Sequence, residues 1–85
     1  MKRSGRRQFN NNEWEWLKRK YKYRCVRCSR KENPNDESTW LTADHVIPVA
    51  LGGVRNITNI QPLCKRCNQA KGVGVQDYRD RKFKN

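Results

Sequence analysis

The chain has 85 residues, of which 20 are Lys or Arg and 8 are Asp or Glu, for a net charge of +12 and an isoelectric point of about 10.2. Only 34% of residues are hydrophobic and the mean hydropathy is -1.20, so one small domain is expected, with a thin core that needs a staple. No apolar run approaches the roughly 20 residues that span a bilayer. No apolar stretch follows the basic start MKRSGRRQFNNN either, which argues against a secretory signal and makes a reducing cytoplasm the expected setting.

The charge is uneven. Residues 1–31 hold 12 Lys/Arg against Glu13 and Glu15, whereas residues 32–85 hold 8 against 6 acidic residues. The first third is therefore the expected handle for a polyanion, because the excess exceeds what solubility alone asks for. Residues 1–12 read as a flexible basic arm that could neutralise phosphates without reading sequence, and residues 13–85 as a single domain.

Asn12 is a good N-cap, and Glu13 and Glu15 would oppose the helix dipole in the first turn. Trp14, Leu17 and Tyr21 recur at i, i+3 and i+7 and predict one apolar stripe on a helix over 13–23. Trp16 and Tyr23 lie off that stripe; packing near the cysteines is expected of them ahead of base stacking. Residues 29–38 are rich in turn formers and predict a loop. TWLTADHV, residues 39–46, predicts a strand, and 47–58, with Pro48, Gly52 and Gly53, an ordered loop. NIQPL, residues 59–63, predicts a second strand, with Pro62 at an edge or near its end. A helix then runs from the CKRC segment to Lys71, with Gly72 as its stop. A last basic helix is expected over 75–83.

Cys25 and Cys28 form one CxxC pair, and Cys64 and Cys67 a second. Each two-residue gap lets both thiolates of a pair face one ion, and two pairs complete a tetrahedral Zn²⁺ shell. Four protein ligands leave no position for water, so this zinc is expected to be structural. Arg27, Lys65 and Arg66 would offset its negative charge. The competing readings are a redox dithiol, two disulfides or an iron–sulfur site. The 35 residues between Cys28 and Cys64 exceed the usual spacing between such pairs, so the intervening segment is an element in its own right, clamped at its base.

That segment carries the chain's single histidine, His45, directly after Asp44. It lies in ADHVIPVALGG, followed by NIQPLCKRCNQAKG. The D-H pair, the Pro loop ending in Gly-Gly, an Asn before the second CxxC and CN-x-x-KG after it resemble the HNH endonuclease family over about residues 25–72. The resemblance implies an α+β fold: a small ββα-metal (His-Me finger) unit beside a four-cysteine structural zinc site, with flanking helices. It also implies roles. Asp44 would ligate a catalytic divalent metal, and His45 would be the general base that activates water. Asn59 would steady the loop that orients the histidine, with Asn56 a less well-placed competitor. Asn68 would be the second metal ligand, in the place of the last histidine of the family name. An amide oxygen there favours hard ions such as Mg²⁺ or Mn²⁺.

Elementary chemistry agrees with that assignment. A histidine, with an unperturbed pKa of about 6.5, is partly neutral at cellular pH and can take a proton from water. A metal held by one carboxylate and one amide keeps sites open for phosphate and water. Asp44 and His45 are adjacent, so a regular strand would point them to opposite faces, and a break in the strand is expected near them. Lys71 and Arg55 are expected to contact phosphate or simply to be solvated.

A metal-dependent DNA endonuclease leaving 5′-phosphate and 3′-hydroxyl ends is therefore the expected function. A non-catalytic zinc-binding nucleic-acid module would explain the charge and cysteines but not Asp44, His45, Asn59 and Asn68 at these offsets. A protein-interaction finger would not need so basic a first third. Weak sequence specificity is expected, and cutting both strands would take a dimer, two events or another phage or host protein. The short length and basic arm resemble free-standing phage or mobile-element nucleases of bacterial or phage-infected cells.

Overall fold

Asn10, not Asn12, begins the first helix of the computed structural model, which describes residues 9–79. Helix α1 spans Asn11–Lys20. The Asn10 side chain accepts from the Glu13 N–H at 2.8 Å, and the Glu13 carboxylate accepts from the Asn10 N–H at 2.9 Å. This reciprocal pair satisfies two otherwise orphaned donors; Asn12 also has a glutamate three residues on, Glu15, but only Asn10 follows an apolar residue, Phe9. Phe9 and Trp14, at the hydrophobic-staple positions either side of the cap, both join the core. Of the predicted arm, Phe9 is buried and Asn11 and Asn12 are helical; residues 1–8 lie outside the described residues.

The predicted stripe faces inward: Leu17 and Tyr21 are buried and Trp14 packs against them. The helix stops at Lys20 rather than 23. The Lys22 N–H donates to the Arg19 carbonyl at 2.9 Å and the Tyr23 N–H to the Lys18 carbonyl at 2.8 Å, a Schellman motif. Lys22 and Tyr23 both have φ of 59°. Trp16 does not pack near the cysteines; it is 54% exposed, with the Lys20 ammonium 5.5 Å from its ring centre. The Tyr23 hydroxyl donates to Glu15, holding that carboxyl below its usual range.

Two strands follow. β1 (Leu41–His45) and β2 (Ile60–Cys64) pair antiparallel, with Leu41 opposite Cys64, Asp44 opposite Gln61 and His45 opposite Ile60. Thr39, expected to open β1, instead lies in a 3-10 turn, Glu37–Thr39, where its hydroxyl donates to the Asp36 carbonyl at 2.7 Å. Pro62 sits opposite Ala43 with its carbonyl turned outward to accept from the Val26 N–H at 3.0 Å. Its missing N–H is therefore on the side away from β1, and the ladder loses nothing. The same contact ties the first cysteine pair to β2.

Helix α2 (Lys65–Lys71) begins where β2 ends, with Cys64 as its N-cap and Gly72, at φ 62°, as its stop. Hydrophobic burial is concentrated between α1, β2 and the cysteines: Leu17, Tyr21, Val26, Leu41, Ile60 and Leu63 are all buried. Each such side chain contributes roughly 1.5–3 kcal/mol, so a core this small needs further support. Residues 75–78, expected to open a last helix, are irregular, Arg79 is helical, and residues 80–83 of that predicted helix lie outside the described residues. No helix among the described residues is long and apolar enough to cross a membrane.

Candidate active site beside a four-cysteine metal centre

The four cysteines converge as their spacing predicts. Cys25 and Cys28 come from the turn after α1, Cys64 from the end of β2, and Cys67 from the first turn of α2. Their sulfurs all lie within 4.8 Å of one another, and Cys28 Sγ is 3.9 Å from Cys64 Sγ. A disulfide would need about 2.05 Å, whereas tetrahedral zinc with Zn–S near 2.3 Å sets S···S at about 3.8 Å. The donor set and the spacing fit zinc. Burial first, then contact with Cys64, pushes the metal-free Cys67 thiol up to about 12. Arg27 lies against Cys67, which raises the guanidinium above its ordinary value. Lys65, expected to offset the cluster's charge, is instead paired with Glu37.

The cluster fixes the start of α2, and α2 in turn presents Asn68 and Lys71 to β1. These two are three residues apart and so share a helix face, as Thr42 and Asp44 share a strand face. Two rungs join them. Asn68 Nδ2 donates to Thr42 Oγ1 at 2.6 Å, and Thr42 Oγ1 donates to the Leu63 carbonyl at 2.8 Å. Lys71 Nζ lies 3.1 Å from Asp44 Oδ2 and 3.3 Å from Oδ1, and donates to the His45 carbonyl at 3.2 Å. The Lys71 side chain is 1% exposed and that of Asp44 8%. Lys71 is thus neither solvated nor presented on the surface: it is a buried partner of Asp44.

Asp44, His45, Asn68 and Lys71 line one groove of about 320 Å³ with Pro48 and Val73. The strand runs unbroken through His45, so the expected break comes directly after it, at Val46 and Ile47. His45 reaches the groove as the last residue of β1. Neither its imidazole nor the Asn68 Oδ1 has a protein hydrogen-bond partner among the described residues.

Asn59 is buried and ties the loop after β1 across its neck. Its Oδ1 accepts from the Ile47 N–H at 3.1 Å, and its Nδ2 donates to the Ile47 and Val54 carbonyls, both at 2.9 Å. Gly53 packs against this knot so closely that a Cβ would lie 1.7 Å from the Ile47 oxygen, which only glycine avoids. Asn56 acts elsewhere, capping the 3-10 turn Ile57–Asn59 through the Thr58 N–H at 3.0 Å. Arg55 has no side-chain partner among the described residues.

Sequence reasoning missed Gln61. It is fully buried in β2 and its Nε2 donates to Asp44 Oδ2 at 2.9 Å. A polar residue in the middle of an otherwise apolar strand was the available signal, since buried amides find partners.

A family model described as HNH endonuclease matches residues 25–84, and no curated protein matches the chain. The matched span contains both cysteine pairs, both strands, α2 and the whole groove. With a β-β-α unit clamped by four cysteines and a D-H pair at the end of its first strand, the chain belongs to the HNH endonuclease family.

Proposed function

We propose that this chain, which family membership makes nuclease-like with nucleic acid as the implied substrate class, is a metal-dependent DNA endonuclease that hydrolyses phosphodiester bonds in the groove between β1 and α2. The observation that carries the proposal is the meeting of Asp44, His45 and Asn68 in one groove. His45 is the general base: its imidazole is uncommitted and stands at the groove's edge, where it can take a proton from water. Asn59 holds the backbone of Ile47, two residues past His45, and so limits how far the imidazole can drift.

Asp44 and Asn68 fit a hard divalent ion such as Mg²⁺ or Mn²⁺. Both offer oxygen, and the Thr42 contact engages the nitrogen of Asn68, leaving Oδ1 for a ligand. Such an ion, when bound, polarises the scissile phosphate and offsets charge on the leaving 3′ oxygen. Asp44 must share its carboxylate with Lys71 or release it to take up that ligand, and a released ammonium remains beside the groove to meet a phosphate. The exposed basic residues Arg19, Lys20, Lys22 and Arg24 supply affinity for the DNA backbone.

The test is incubation of supercoiled plasmid with Mg²⁺, Mn²⁺ or Ni²⁺, against chelator. Wild-type protein is expected to nick or linearise it, and His45→Ala to lose cleavage by a factor of at least about 100 while retaining zinc and DNA binding. Equal cleavage by His45→Ala, or none by the wild type with any of the three ions, would refute the proposal.

A further inference from the structure

Gln61 links Asp44 to a part of the chain outside the β-β-α unit. Its Oε1 accepts from the Tyr78 N–H at 2.9 Å, and its Nε2 donates both to the Gln76 carbonyl at 2.7 Å and to Asp44 Oδ2 at 2.9 Å. A backbone N–H can only donate and a carbonyl can only accept, so these two contacts dictate which end of the amide is which. The nitrogen must face Asp44. The amide cannot turn over without leaving a buried group unpaired, and the carboxylate cannot rotate part-way out of its plane without losing the Gln61 N–H.

The segment that imposes this is itself anchored. Tyr78 packs against the core and lies under the Arg27 guanidinium, 5.9 Å from its ring centre. Arg79 Nη1 donates to the Thr58 carbonyl at 2.6 Å. Gln61 is also directly opposite Asp44 in the sheet register, so strand pairing and the C-terminal segment fix the same side chain from two directions.

We propose that Gln61 is a positioning residue, set by the backbone of Gln76 and Tyr78, that fixes the rotation of the Asp44 carboxylate for metal binding. The inference rests on the reading of Asp44 as a ligand of the catalytic metal. Partners that orient a ligating carboxylate are worth 10–100-fold in metal affinity or activity, and Gln61 should fall in that range. Lys71 sets the rotation less sharply, because its ammonium is a compact point charge that lies near both carboxylate oxygens, whereas the Gln61 N–H meets one of them.

The experiment titrates Mn²⁺ alone into zinc-loaded protein by calorimetry, for wild type, Asp44→Ala and Gln61→Met. Zinc content and thermal melts are recorded in parallel. Asp44→Ala is expected to abolish the groove's Mn²⁺ binding. Gln61→Met keeps the volume and loses the three hydrogen bonds; it is expected to weaken Mn²⁺ binding 10–100-fold with zinc content intact. Its nicking rate should recover partly at saturating Mn²⁺. If Asp44→Ala loses binding while Gln61→Met stays within about twofold of wild type, whatever its melting temperature, the role of Gln61 is overturned and the reading of Asp44 stands. If Asp44→Ala binds Mn²⁺ as wild type does, the reading of Asp44 fails and takes the inference with it. Should Gln61→Met lose zinc or its cooperative melt, Gln61→Asn replaces it. That variant keeps an amide in the slot but is one methylene short of Asp44, and the same outcomes decide.

Discussion

The cysteine cluster and the groove meet on consecutive residues of α2, Cys67 and Asn68, yet they are built in opposite ways. In the cluster, three of the four cysteines are buried and all four sulfurs converge on one point. A tetrahedral ion would use every one of them. In the groove, the His45 imidazole and the Asn68 oxygen have no protein partner among the described residues, while Asp44 is held by Lys71 and Gln61. Unspent valence next to a rigid anchor is what separates a site that can take a ligand from one that only holds the chain. The difference can be broken from either side.

The largest effect should come from the cluster. Cys67→Ser, or stripping of zinc by a strong chelator, removes a contribution on the order of 10 kcal/mol, more than a core this small can replace. Circular dichroism should show loss of cooperative unfolding. Because the metal-free Cys67 thiol is held protonated by burial, zinc uptake must expel protons, and zinc affinity measured by competition should rise with pH. Retention of a sharp melt without metal would show the clamp to be dispensable.

A smaller effect is expected inside the groove. Lys71→Met leaves Asp44 buried with only Gln61 for a partner, and should cost about 3 kcal/mol in urea unfolding without divalent metal. Added Mn²⁺ should then raise the melting temperature of this variant more than that of wild type, since the ion replaces the lost positive charge. Equal shifts in both would mean that the ammonium and the ion do not share the Asp44 carboxylate.

The smallest effect belongs to the loop. Asn59→Ala removes three side-chain hydrogen bonds and should cost about 2 kcal/mol, with zinc content unchanged. Plasmid nicking should fall further than stability does, because the backbone after His45 is no longer tied. A variant as unstable as expected but fully active would remove Asn59 from the site and leave it a purely structural residue.

Much of this architecture was legible in the sequence because it depends on local spacing. Two CxxC pairs placed the metal centre, the Asp44–His45 pair marked the end of a strand, and Gly72 marked the end of α2. The contacts that were not legible depend on register. Nothing in the order of residues says that Gln61 lies opposite Asp44, or that the turn at Cys64 brings Lys71 back over the same carboxylate. The N-cap differs from both. Asn10 and Asn12 each have a glutamate three residues on, and only the apolar residue before Asn10 tells them apart. The basic stretch around Phe9 hides that anchor.

The corner after α1 has a practical consequence for all of these measurements. Lys22 stands in the left-handed position that helices ending this way usually give to glycine, and it is exposed. That conformation costs a residue with a Cβ about 1 kcal/mol, so the chain carries a small stability reserve that its own sequence leaves unclaimed. The position lies outside both the cluster and the groove. Lys22→Gly would therefore serve as a sturdier parent for melts and metal titrations of fragile variants such as Lys71→Met; because it also removes one of the basic residues proposed to meet DNA, plasmid nicking is compared only between variants that share it.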